Sequence, residues 1–255
     1  MSRVAIIAAM AGELKPLVHG WPQEERDGVE LWRWKFDGGE WVAACAGTGV
    51  DRATRAFAVV AKGRPVDLVI STGWAGALSE EFQVGKAYRV SGVVDVQTGE
   101  RYAAEGAGRV EGPPGSEDRV SAQEDYWLVT SPLAADEQEK QRLAAAYGAG
   151  LVDMEASAVA RIAAMRKIPF YCIKGVSDGF RDHLPDFNLF ISENGQFRMA
   201  GFILYALLRP RYWPALVRMG ENSRKAAERI AESLLEILDE RGAIRKQDGY
   251  PDLKH

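Results

Sequence analysis

Three acidic residues stand where the chain turns after an apolar run. They are Glu13 in Ala9-Met10-Ala11-Gly12-Glu13-Leu14, Glu155 in Val152-Asp153-Met154-Glu155-Ala156-Ser157, and Asp178, which closes Lys174-Gly175-Val176-Ser177-Asp178. In an open α/β sheet the carboxyl ends of strands converge on one crevice, and that is where ligands bind. A carboxylate on the first turn of a helix and another at the end of the next strand suit a sugar-binding group and a proton donor. Glu13, in the loop after the first strand, can reach the same place. An acid and a base on opposite sides of a scissile glycosidic bond are what cleavage of a nucleoside or glycoside needs. Each acid also has a plainer use. An acid at a helix start complements the helix dipole, and Ser-Asp after a strand often caps the next helix. The two together, with the glycine turns described next, favour chemistry.

The elements that must position these groups are legible as patterns. Strand-like runs are Val4 to Ala9, Leu31 to Phe36, Trp41 to Ala46, Val66 to Thr72, Ala87 to Val96, Trp127 to Thr130 and Phe170 to Val176. Helical patterns cover Ala53 to Ala61, Ala134 to Tyr147 and Met154 to Arg166, the last opened by Glu155 and carrying Val159, Ile162 and Met165 on an apolar face. Alternation of this kind predicts an α/β fold: a single domain with a mixed, mostly parallel sheet flanked by helices. Asp37-Gly38-Gly39-Glu40 and Gln97-Thr98-Gly99-Glu100 read as hairpin turns, which adds antiparallel parts. Ala46-Gly47-Thr48-Gly49 and Thr72-Gly73-Trp74-Ala75-Gly76-Ala77 read as glycine turns whose amides can approach a ligand. Gly106 to Gln123 reads as an exposed loop. Residues 1–208 are expected to form the α/β domain and residues 209–255 a helical extension packed on it. Within that extension Ser223 to Arg241 is an amphipathic helix with Ile230, Leu234, Ile237 and Leu238 on one face, and the polar tail after Gly242 frays.

Composition narrows the classes. The 255 residues are 47% hydrophobic, enough for one large core, and the net charge of −4 argues against a nucleic-acid partner. Two cysteines and three scattered histidines have no metal-ligand spacing, so no metal and no cofactor are expected. Cys45 and Cys172 lie in apolar runs and read as buried thiols. The chain starts directly with a strand pattern and has no signal-peptide pattern, from which a cytoplasmic location is expected. The longest apolar run, Phe202 to Leu208, is too short to span a bilayer. It leads into Arg209-Pro210-Arg211-Tyr212-Trp213-Pro214-Ala215-Leu216-Val217-Arg218, whose mixed aromatics and arginines suit a helix end packed on the core, a subunit interface or a membrane surface.

These pieces, in this order from Val4 to Asp178, resemble the purine nucleoside phosphorylase/uridine phosphorylase superfamily, and within it the 5′-methylthioadenosine/S-adenosylhomocysteine nucleosidases. The Met154-Glu155 and Ser177-Asp178 pairs at their spacing are the specific part; the glycine turns are not. The resemblance implies hydrolysis of the N-glycosidic bond of an adenosine-type nucleoside by a homodimer, with a small-molecule substrate as partner. Asp178 would protonate N7 of the base, and Glu13 would position and deprotonate the attacking water. Glu155 would hold the ribose hydroxyls and offset the charge of an oxocarbenium-like transition state, while Met154 packs on the sugar. Gly73, Trp74, Ala75, Ser177 and Lys174 would complete the substrate site. Trp74 replaces a small hydroxyl residue common in the family, and Lys174 replaces an arginine. Leu184-Pro185-Asp186-Phe187 and Arg209-Pro210 also resemble the hopanoid-associated phosphorylase branch, linked to release of adenine from adenosylhopane.

Two other functions remain open on sequence. A phosphorylase needs a cationic cradle for phosphate, which Arg52 and Arg55 beyond the Gly47 turn could supply. A non-catalytic nucleoside-binding module would be expected to lose an acid or a base, whereas Glu13, Glu155 and Asp178 are all present.

Overall fold

The run Val4-Ala5-Ile6-Ile7-Ala8 has no polar residue to turn toward water on either face, and it forms the buried body of a central strand, β1 (Ser2–Ala8). The computed structural model describes residues 2–36, 38–105, 108–109, 126–182, 186–190, 198, 201–202, 205 and 208–240. After β1 come β2 (Gln23–Arg26), β3 (Val29–Phe36), β4 (Gly39–Cys45), β5 (Leu68–Ala77) and β6 (Ala87–Arg89). The remaining strands are β7 (Gly92–Asp95), β8 (Arg101–Ala103), β9 (Gly108–Arg109), β10 (Trp127–Thr130), β11 (Leu151–Asp153) and β12 (Phe170–Asp178). The helices are α1 (Ala11–Leu14), α2 (Val50–Val60), α3 (Glu137–Tyr147), α4 (Ala156–Arg166) and α5 (Trp213–Glu240).

The sheet order is β2-β3-β4-β1-β5-β11-β10-β7-β8, with β12 branching from β5 and carrying β6 and β9. β1 runs parallel to β4 and β5, β12 runs parallel to β5, and β10 runs parallel to β7 and β11. The antiparallel parts include both expected hairpins. Gly38 (φ 114°) turns β3 into β4 and Gly99 (φ 74°) turns β7 into β8, conformations that a side chain would strain. On one face α2 and α4 pack Phe57, Val60, Val159 and Ala163 onto Ala5, Val69 and Cys172. On the other face α5 packs Ile230, Leu234 and Ile237 onto Val4, Ile6 and Ile173. Gly175 of β12 lets α5 come close, since a Cβ there would lie 2.8 Å from that of Ala226. Cys45 and Cys172 are free and buried, and burial pushes both thiols up to about 12.

Several boundaries differ from the sequence reading. β5 does not stop at Thr72 but runs through Gly73 to Ala77, so the second glycine segment is strand rather than turn. The Ala87 to Val96 run is broken at Val90-Ser91, whose amides bond to Cys172 and Tyr126 instead of continuing one ladder. α3 starts at Glu137, because Asp136 caps it by accepting from the Glu139 N–H at 2.8 Å. Met165 is 78% exposed rather than on the apolar face of α4. At about 100° per residue it lies roughly 120° around the helix from Val159, while Ile162 stays at the edge of the buried stripe. The C-terminal helix begins at Trp213, so Trp213 to Arg218 of the arginine–aromatic segment form its first turns, after a short 3-10 turn at Pro210–Tyr212. Most of the Gly106 to Gln123 loop, Leu184-Pro185 and the tail after Gly242 lie outside the described residues. Among the described residues no helix is long and apolar enough to cross a membrane.

Candidate active site

Glu13 follows β1 by one short turn of helix and is 3% exposed. Its Oε2 accepts from the backbone N–H groups of Ala9 and Met10, both at 2.9 Å, and its Oε1 accepts from the Trp74 N–H at 2.8 Å. Burial raises its pKa, and the three backbone donors and Lys174 pull in the opposite direction. Gly73 makes this geometry possible. It sits at φ 130°, and a Cβ there would be 2.8 Å from Glu13 Oε1. Gly73 was expected to touch substrate, but it does not line the cavity; it is where β5 passes close to the Glu13 carboxylate.

Glu155 occupies the position just before α4, with φ −132° and ψ −33°, and its side chain makes no bond to its own helix. Its Oε1 instead accepts from the Gly49 N–H at 2.7 Å, across the crevice at the end of β4. A carboxylate serving the helix dipole would face the α4 amides, and that task belongs to Asp153, which accepts from the Ala156 N–H at 2.9 Å. Burial first and Asp153 second push Glu155 up to about 8, against the pull of Lys174.

Lys174 does not stand among the cavity residues either. It is 1% exposed, with Nζ 2.9 Å from Asp153 Oδ2 and donating to the Thr72 carbonyl at 3.2 Å. Burial, the largest single influence, lowers its pKa, yet Asp153, Cys172 and Glu155 together outweigh burial and hold it above the ordinary value. Asp153 also accepts from Thr130 Oγ1 at 2.7 Å. The expected substrate contact at Lys174 is therefore replaced by a buried ion pair that fixes the strand end carrying Met154 and Glu155.

Asp178 ends β12. Ser177 Oγ donates to its Oδ1 at 2.7 Å, and Lys140 Nζ, reaching in from α3, donates to its Oδ2 at 2.5 Å. Lys140 also donates to the Gly179 carbonyl at 2.7 Å and is 2% exposed. Among the described residues no α-helix starts directly after Asp178 for it to cap. Gly76 leaves the room this pair needs, since a Cβ there would meet Asp178 Oδ2 at 3.0 Å and the Lys140 Cε at 3.2 Å.

Glu13, Trp74, Ala75, Met154, Glu155, Ser177 and Asp178 thus line one cavity of about 1760 Å³. Trp74 forms part of the wall, and its indole N–H donates to the Ser223 carbonyl of α5 at 2.9 Å. The sequence reading missed Lys140, Asp153 and Ser223 as parts of the site. Lys140 had a signal: with Leu143 and Tyr147 it falls on the inward stripe of α3, where a lysine needs a partner.

Residues 3–207 match the model of the phosphorylase superfamily. The chain belongs to that superfamily. Solved structures with the same fold include 5′-methylthioadenosine nucleosidase of Arabidopsis thaliana in apo form, at 17% identity and TM-score 0.67, covering 97% of this chain and 99% of that one. Another is 5′-methylthioadenosine/S-adenosylhomocysteine nucleosidase of Helicobacter pylori with butyl-thio-DADMe-Immucillin-A, at 17% identity and TM-score 0.63, covering 94% and 99%. A third is a futalosine hydrolase mutant of Helicobacter pylori strain 26695, at 15% identity and TM-score 0.64, covering 94% and 100%. Comparison with curated protein sequences finds no match.

For a phosphorylase-superfamily chain the cations decide whether phosphate has a place. Arg52 and Arg55, the sequence candidates, do not line the cavity, and Arg55 donates to the Asp27 carbonyl in the β2–β3 turn. Among the described residues the basic side chains that do line it are Lys15, His19, Lys140 and Arg224. Lys140 is engaged by Asp178, Arg224 pairs with Glu228 at 2.7 Å, and Lys15 and His19 are exposed.

Proposed function

We propose that the protein is a purine nucleosidase that hydrolyses the N-glycosidic bond of an adenosine-type nucleoside. The observation that carries this is the Glu13 carboxylate. Three backbone N–H groups hold it in one cavity with Glu155 and Asp178, and no arginine cradle for phosphate stands beside it among the described residues. Glu13 takes a proton from water as the water oxygen bonds to C1′. Glu155 meets the ribose hydroxyls and the positive charge that grows on the sugar as C1′–N9 breaks. The proton that the departing base requires comes from the Asp178 end of the cavity.

The cavity has room for 5′ substituents up to a large apolar one. At about 1760 Å³ the cavity exceeds the roughly 300–1,000 Å³ of an ordinary ligand pocket, and Leu133, Phe202, Tyr212, Leu216 and Met219 line it. Candidates range from methylthioadenosine and S-adenosylhomocysteine to a lipid-linked nucleoside such as adenosylhopane. A homodimer and a cytoplasmic location belong to the same reading. Purified protein incubated with adenosine, 5′-methylthioadenosine and a long-chain 5′-alkyl adenosine tests it. Free adenine and free sugar are expected at equal rates with and without phosphate, and the long-chain substrate should be turned over. Strict dependence on phosphate, with a sugar 1-phosphate as product, would replace the hydrolase by a phosphorylase. Light scattering tests the dimer.

A further inference from the structure

Lys140 is an uncommon group to find beside a general acid. A carboxyl that is to protonate N7 must carry a proton, yet Asp178 has Ser177 Oγ on one oxygen and the Lys140 ammonium on the other. In such a pair the labile protons sit on the amine. An ammonium has three N–H donors. Asp178 Oδ2 and the Gly179 carbonyl take two of them, which among the described residues leaves one for the cavity that Lys140 lines. Asp178 in turn has about four acceptor sites as a carboxylate, of which Ser177 and Lys140 fill two. A donor and an acceptor 2.5 Å apart thus stand side by side on two residues that line the cavity.

That pattern matches one edge of one base. Adenine presents N7 as an acceptor next to its 6-amino donor, whereas a 6-oxopurine presents two adjacent acceptors. Resting on the purine-nucleosidase reading, we infer that the Lys140–Asp178 pair reads the N7/6-amino edge of adenine and that Lys140, rather than Asp178, hands the proton to N7. Asp178 stays a carboxylate and accepts from the 6-amino group. N7 of an intact nucleoside is a feeble base, and it becomes a much stronger one as the electrons of the breaking C1′–N9 bond enter the ring. An ammonium is therefore matched to a late proton transfer. The atoms balance. The C1′–N9 pair goes to the purine, a Lys140 N–H proton goes to N7, the water oxygen bonds to C1′ and keeps one of its protons as the new hydroxyl, and its other proton goes to Glu13. Adenine leaves neutral, and loss of the Glu13 proton to solvent with uptake of one by Lys140 restores the site.

Arginine separates reading the base from giving it a proton, because a guanidinium donates hydrogen bonds but does not deprotonate. Wild type, Lys140→Arg, Lys140→Met and Asp178→Asn are compared on 6-amino and 6-oxo nucleosides and on a 4-nitrophenyl riboside, whose leaving group departs as an anion without protonation. Adenine and hypoxanthine binding is followed by thermal shift. The wild type should prefer the 6-amino base by at least about tenfold. Lys140→Arg should still bind adenine but lose about 10²–10⁴-fold in purine release, while cleaving the nitrophenyl riboside within about threefold of wild type. Lys140→Met should lose adenine binding as well, and Asp178→Asn, whose amide can donate or accept, should narrow the 6-amino over 6-oxo preference. Wild-type purine release by Lys140→Arg would overturn the inference, as would equal loss on both leaving groups. If the wild type releases no base from any purine nucleoside, the nucleosidase reading fails. Binding then decides the edge reading separately, and equal shifts with adenine and hypoxanthine would end it too.

Discussion

Trp74 ties Glu13 to α5: its backbone N–H donates to Glu13 Oε1 at 2.8 Å while its indole N–H donates to the Ser223 carbonyl at 2.9 Å. One residue therefore sets the carboxylate from below and the long helix from the side. A Cβ on Gly12 would come within 3.2 Å of the Trp74 ring, so the fit on the α1 side is close as well. Trp74→Phe keeps an aromatic ring but removes the indole donor together with part of the ring surface. It should cost about 1 kcal/mol of stability and speed hydrogen exchange in the middle of α5, with little change in the binding of free adenine. Unchanged exchange around Ser223 would show that the helix is held elsewhere.

Glu13→Gln should leave the fold intact and slow hydrolysis by about 10²–10⁴-fold. An amide of the same size cannot take the proton from water. Single-turnover rates with saturating substrate are the measurement, and a near-native rate would remove Glu13 from the chemistry.

Gly73→Ala is a test of the same carboxylate from the other side. The left-handed backbone (φ 130°) costs a side chain about 1–3 kcal/mol, and its Cβ would occupy space that Glu13 Oε1 now fills. A displacement near 1 Å at a reacting group can cost about 100-fold, so turnover should fall much further than substrate affinity. A stable variant with full activity would contradict the contact.

Glu155 gives the pH dependence of stability a sign. Its pKa in the folded protein is pushed up to about 8 from an ordinary 4.5, so its contribution is fully present below pH 4.5 and is lost as pH rises through 8. The melting temperature of the ligand-free protein should fall across that window. Glu155→Gln should flatten the fall without abolishing it, since Glu13 is shifted in the same direction. The same variant should lose about 10²–10³-fold in turnover through weaker stabilisation of the sugar cation. A melting curve with the same slope in both proteins would show that Glu155 does not titrate there.

Lys174→Met tests the buried pair with Asp153. Removing one member of such a pair typically costs about 3–5 kcal/mol, so the expected result is a large drop in the denaturation midpoint. A loss of substrate affinity with stability unchanged would instead restore Lys174 as a substrate contact.

The sheet and most helices were legible because continuous apolar runs such as Val4 to Ala8 allow only a buried strand, and the 3.6-residue stripes of α2 and α5 are regular. Glu13, Glu155 and Asp178 were legible because each follows such a run directly. What sequence could not give is which partner a charged side chain finds across the fold. Lys174 was expected to contact substrate only through the resemblance, where it takes the place of an arginine, but the fold turns it toward Asp153. Lys140 looked like one charge among many in Glu137-Gln138-Glu139-Lys140-Gln141-Arg142, and only tertiary packing brings it to Asp178. Gly73 looked like a turn because glycine usually is one; a strand that must pass a carboxylate uses it for a different reason.

α5 is 28 residues long, about 42 Å of helix, and its two halves answer to different demands. Leu216, Met219 and Gly220 border the cavity, whereas Ile230, Leu234, Ile237 and Leu238 are locked into the sheet. The ligand-facing half can therefore drift through mutation while the anchored half keeps the helix in place. A lineage that inherits this arrangement can move from one 5′ group to another in small steps, without rebuilding the carboxylate cluster or losing its fold on the way.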